Sequence, residues 1–228
     1  KGHDLREVIA RWFFMCNISG RYTGSSESTM EGDLNRLSDV ETAEGFVKTL
    51  DRVIQNTLTE DFWNITLPED LDSKSFYSPT LFAYHAALNI LDARALFSTL
   101  KLSTLFDPSI KANKETVERH HLFPKNYLEQ NGIGSEKDQI ANRAYVEWAD
   151  NIQISDQPPA DYFPKYAERF DEAELEQMMY WHALPEDWYL MDYGAFLEAR
   201  RHRIATVTRD GFEKLMENAS TMNASTPS

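Results

Sequence analysis

The chain has 228 residues, 42% of them hydrophobic and 12% aromatic, and a net charge of −14. That composition excludes a disordered chain and allows a substantial apolar core. The acidity excludes non-specific nucleic-acid binding by bulk charge, so any such contact must use a local cluster.

A single cysteine, Cys16, rules out an internal disulfide and a cysteine-based zinc site. It fits a reducing, cytoplasmic compartment. The start, KGHDLREVIARWFF, has charges at helical spacing among its apolar residues, which is not the pattern of a signal peptide. The longest apolar run, at 81–97, contains His85, Asn89, Asp92 and Arg94, so it reads as a buried helix and no membrane span is expected.

In chain order, the first expected element is an amphipathic helix with Leu5, Val8, Ile9, Trp12 and Phe13 on one face. The polar loop at 20–33 leads into a helix with Ser26 or Ser28 as its N-cap. Further helices are expected at 41–56 and at 78–100, the latter with Pro79 in its first turn. No strand of weight is expected before 110.

The pattern then changes. KETVERHH at 114–121 reads as a short strand, PKNYLEQN at 124–131 as a short helix ended by NGIG, and RAYVEWAD at 143–150 as a second strand. Helical patterns return at 158–170, 173–184 and 192–217. The expected organisation is an N-terminal helical region at 1–110, an insert at 111–166, and C-terminal helices at 167–217 that pack on the first region. A polar tail at 218–228 need not be ordered.

The insert carries the candidate chemistry: the doublet His120–His121, then Asn142 and Asn151. Adjacent residues of a strand point to opposite faces, so a doublet at a strand end can give one side chain to a metal and the other to substrate. Imidazole suits both tasks, and an asparagine carbonyl suits a hard cation. The plain alternative is two polar residues in a loop and asparagines that make turns.

The segments HHLFPKNYL and IANRAYVEWADN resemble the ββα-metal (His-Me finger) signature of HNH endonucleases. More narrowly, ERHHLFPKNYLEQNGI and NIQISDQPPADYF, with their helical surround, resemble the C-terminal nuclease domain of GmrSD-like modification-dependent (type IV) restriction enzymes. The resemblance implies a mainly α fold with an embedded ββα-metal motif. It also implies a metal-dependent DNA endonuclease that acts against phage DNA, including modified DNA. His120 and Asn151 would be ligands to Mg²⁺ or Mn²⁺, and His121 the general base. Asn142 would bond across the loop and hold the His121 ring. Members of the group also carry an N-terminal NTPase-like domain. No Walker-type loop occurs here, so by the resemblance a piece of a longer protein is expected; a start at Lys1 fits that or a removed tag equally.

The sequence departs from many HNH enzymes in having His rather than Asp as first ligand, a longer loop to Asn142, and Asn as the closing ligand. With no protein carboxylate at the metal, modest affinity is expected. Lys125 could neutralise a phosphate or simply start a helix. Arg21 lies in a polar loop that the resemblance also covers, and a contact near the scissile bond is what the resemblance implies for it. Arg200, Arg201, Arg203 and Arg209 form a basic stretch on the last helix. It reads either as a solvated face or, through Arg200 and Arg203, as a DNA contact. His85 and His182 read as core histidines, Cys16 as packed, and the acidic run at 171–176 as solvated. The rival functional reading is a non-catalytic DNA-binding or regulatory module that keeps the HNH scaffold.

Overall fold

A computed structural model describes residues 2–75, 77–106, 117–134 and 136–223. The protein is mainly α-helical. Helix α1 (Gly2–Ile18) is followed by α2 (Ser26–Leu37), α3 (Ala43–Thr57), a π turn at Phe62–Thr66 that runs into α4 (Leu67–Asp70), α5 (Pro79–Ile90) and α6 (Ser103–Phe106). Strand β1 (Val117–His121), α7 (Lys125–Gln130), β2 (Arg143–Glu147) and α8 (Trp148–Ile154) come next. The chain ends with α9 (Pro159–Ala167), α10 (Glu172–Trp181) and the long α11 (Tyr193–Asn223).

In α1 the buried stripe is Val8, Arg11, Phe14, Met15 and Ile18, while Ile9 and Phe13 are 52% and 70% exposed. The expected face is therefore rotated. Trp12, Phe13, Phe14 and Met15 put apolar groups all round the helix, so periodicity alone could not fix its phase. Ser25, rather than Ser26 or Ser28, sits at the N-cap of α2.

The expected helix at 78–100 stops at Ile90. Asp92 takes a left-handed conformation (φ 57°), and residues 93–102 fold back as a tight loop. Ala95 N–H donates to Leu100 O at 2.8 Å, and Leu102 N–H to Ala93 O at 2.9 Å. Leu96 N–H donates to Tyr145 O at 2.8 Å, so this loop flanks β2. An apolar run reads alike as helix or buried loop, and here Leu96, Phe97 and Leu102 are buried without being helical.

Helix α11 is the spine, packed on α1, α4 and α5. Its approach to α5 is close: a Cβ built on Gly211 would lie 2.5 Å from Ala87 Cβ. It runs on through the start of the expected polar tail, and residues 224–228 lie outside the described ones. Below the strands, Phe123, Tyr162, Phe163, Trp188 and Phe196 form an aromatic cluster. Among the described residues no helix is long and apolar enough to cross a membrane.

Candidate active site

Strands β1 and β2 pair antiparallel, with His120 opposite Ala144 and His121 opposite Arg143. The first part of the expected strand, 114–116, lies outside the described residues. The second strand ends at Glu147 instead of 150, and α8 starts at once. That early turn carries Asn151 back to the hairpin, where its Oδ1 lies 2.7 Å from His120 Nδ1.

His120 is 3% exposed and stands edge-on to the Tyr162 ring, with centroids 5.7 Å apart. Tyr162 is fixed in turn by its hydroxyl, which donates to Leu122 O at 2.7 Å. Burial pulls the His120 pKa down to about 4, against a smaller upward pull from Asn151, so the ring is neutral at pH 7. Its Nε2 is buried and makes no hydrogen bond.

His121 meets the opposite surroundings. Its Nε2 lies 3.2 Å from Asp138 Oδ1, in the turn before β2. The same carboxylate oxygen accepts from Lys125 Nζ at 2.8 Å and Arg143 Nη2 at 2.6 Å. Burial first, then the charges of Arg143 and Lys125, lower the His121 pKa to about 4 despite the hydrogen bond to Asp138. Asp138 is held down to about 2, chiefly by Lys125. A carboxylate only accepts, so His121 Nε2 carries the hydrogen and Nδ1 keeps the lone pair.

Asn142 is fully buried. Its Oδ1 accepts from Phe123 N–H at 2.8 Å, and its Nδ2 donates to Phe123 O and Lys137 O, each at 3.0 Å. The expected bond across the loop is present, but the expected hold on the His121 ring is not. A buried amide must satisfy both ends, and here both are spent on backbone. Asp138 holds the ring instead.

Two of the expected phosphate contacts are corrected. Arg200 is 0% exposed and donates to His182 O at 3.1 Å and Ala141 O at 2.7 Å, so it braces the fold under the turn. Arg21 is paired with the buried Asp33 and lies over the Trp12 ring. Arg203 is exposed, in a groove of α10 and α11 also lined by Glu172, Glu176 and Glu186, whose charges oppose a phosphate there. Only Lys125 lies in the histidine cluster. The core readings of the other histidines agree with their contacts: His85 Nε2 lies 3.1 Å from Tyr145 Oη, and His182 Nε2 lies 2.9 Å from Arg94 O.

Asp138 and Arg143 were not singled out from the sequence. Arg143 could have been found by register, because it falls opposite His121 once the strands are paired. Asp138 sits in a short 3₁₀ turn whose sequence carries no pattern.

No family model matches the chain, and no solved structure matches it. Over 170 residues it is 25% identical to a Methanocaldococcus jannaschii protein named "Uncharacterized protein MJ0686". The match takes in 73% of this chain and 27% of that protein, so the chain spans about a quarter of its relative's length.

Proposed function

We propose that the chain is a metal-dependent DNA endonuclease of the HNH type, with β1, β2 and α8 as its ββα-metal motif. The observation that carries this reading is the contact between His120 and Asn151, brought together from residues 31 apart in sequence. Two ligands at right angles on an octahedral Mg²⁺ stand about 3 Å apart. Asn151 Oδ1 only accepts, so His120 Nδ1–H donates to it at 2.7 Å as the pair stands; with that hydrogen moved to Nε2, the two atoms are near enough to that edge to hold a cation. Both donors are neutral, and among the described residues no group of three or more His, Cys, Asp or Glu could hold a metal. Two neutral donors fit a weakly bound ion that keeps several waters and takes a phosphate oxygen. A bound Mg²⁺ or Mn²⁺ would supply positive charge at the phosphate, with His120 and Asn151 as its protein ligands.

His121 is the general base of this reading. Its imidazole is neutral and takes a proton from water at Nδ1. The water oxygen bonds to phosphorus, the bond to the 3′-oxygen breaks, and that oxygen takes a proton from solvent. The products are a 5′-phosphate and a 3′-hydroxyl. A base with a pKa near 4 is weak, but an arriving phosphate anion raises it. Lys125 and Arg143, both bonded to Asp138 beside His121, are the cations of this reading. Asn142 keeps the turn after β1 in place.

The resemblance to GmrSD-like enzymes extends the proposal to cutting phage DNA, modified DNA included, in concert with an NTPase-like domain. A non-catalytic DNA-binding module is the second reading, favoured by the net charge of −14. Supercoiled plasmid incubated with Mg²⁺, Mn²⁺ or EDTA separates the two. Metal-dependent nicking by the wild type and none by His121→Ala supports the endonuclease. DNA binding without nicking in any metal supports the module.

A further inference from the structure

We infer that Asp138 is the positioning residue of His121, fixing its imidazole as the Nε2–H tautomer and leaving Nδ1 to accept the proton. This inference rests on the endonuclease reading above.

The geometry leaves little choice. Among the hydrogen bonds of the described residues, Asp138 is the partner of the His121 ring. Asn142, the residue whose spacing suggested that task, has its amide spent on Phe123 and Lys137. Asp138 is itself tied from two elements, by Lys125 at the start of α7 and by Arg143 on β2. A carboxylate gripped from two sides is a fixed acceptor, and a fixed acceptor sets the tautomer and the plane of the ring it binds.

The four side chains therefore act as one unit: two cations hold the carboxylate, the carboxylate holds the ring through Nε2–H, and Nδ1 is left with the lone pair.

The test uses the full chain with ¹⁵N-labelled histidine, the His121 signals being assigned by their loss in His121→Gln. At a pH where the ring is neutral, the wild type is expected to show the Nε2–H pattern. Asp138→Ala is expected to show a mixture of tautomers, with kcat on plasmid DNA down about ten- to a hundredfold and KM within about twofold. Asp138→Asn keeps the side chain's size and one acceptor oxygen, so it should fall between the two and guards against a folding defect in the alanine variant. An Nδ1–H pattern in the wild type overturns the inference, as does an Asp138→Ala variant with wild-type kcat. A wild type that cuts no DNA sinks the endonuclease reading, while the tautomer signals still decide the Asp138 contact by themselves.

Discussion

The α5–α11 frame and the β1–β2 hairpin are built by different means. In the frame, two helices come so close that Gly211 has room for no side chain against Ala87. In the hairpin, the contacts that set the geometry are polar and cross the chain: His120 with Asn151, His121 with Asp138, and Asn142 with Phe123 and Lys137. The frame is a matter of shape, the hairpin of satisfied donors and acceptors. Damage to the first should cost stability, and damage to the second should cost chemistry, except where a buried amide holds the backbone.

The largest effect expected is on chemistry. His121→Ala should slow cleavage about a thousandfold, within the range for loss of a general base. Its thermal midpoint should stay close to wild type, because the side chain is half-buried in a polar cluster and its loss opens no cavity in the apolar core. A large drop in the midpoint would place His121 with the structural residues and blur the contrast.

Gly211→Ala should act the other way. A methyl group 2.5 Å from Ala87 Cβ must push α11 off α5, costing about 2 kcal/mol or more. That is roughly 4–8 °C in midpoint for a chain of this size. Cleavage per folded molecule should be unchanged, and thermal melts beside initial rates check both.

Asn142→Ala is the intermediate case. It strands Phe123 N–H and two carbonyls, a loss of about 2 kcal/mol. Activity should fall as well, because the turn that carries Asp138 loses its anchor at Lys137. Stability loss with full activity would separate the turn from the site.

The fourth prediction concerns acid. Burial lowers the pKa of His182 to about 4, from 6.5. Between those values the unfolded chain holds a proton that the folded chain does not. Stability therefore rises with pH there, and this share of it is lost as pH falls from about 6.5 through 4. Denaturant unfolding of wild type and His182→Gln at several pH values isolates the effect. The wild type should lose more stability on acidification, and parallel curves would contradict the burial argument.

The smallest effect belongs to Arg203. In its glutamate-lined groove, replacement by alanine should leave DNA affinity and its salt dependence unaltered, whereas Lys125→Ala should reduce the salt slope by about one.

The same contrast explains what could be read in advance. Helical periodicity found most of the frame, and the strand pair followed from short alternating runs. It failed where apolar residues surround a helix, as at Trp12–Met15, or fill a loop, as at Leu96 and Phe97. No periodicity marks the pairing of Gly211 with Ala87, because a glycine's silence on a helix says nothing about what it faces. In the hairpin, the doublet and the two asparagines stood out, but their partners did not. Asp138 reaches His121 from 17 residues downstream, in a turn set by Asn142. Arg200 looked like a surface cation among its neighbours Arg201 and Arg203, yet the helix turns it inward to two carbonyls. Polar networks of this kind depend on tertiary position, which local pattern does not encode.

In the proposed mechanism the doublet divides its labour: His120 with Asn151 holds the cation, and His121 moves the proton. Calorimetric titration of Mn²⁺ into the chain bound to a phosphorothioate duplex that resists cleavage tests this most directly, with wild type, Asn151→Ala and His121→Ala compared. The account predicts that Asn151→Ala loses Mn²⁺ binding while His121→Ala keeps it at wild-type affinity. Equal binding by all three, or loss only in His121→Ala, would contradict it.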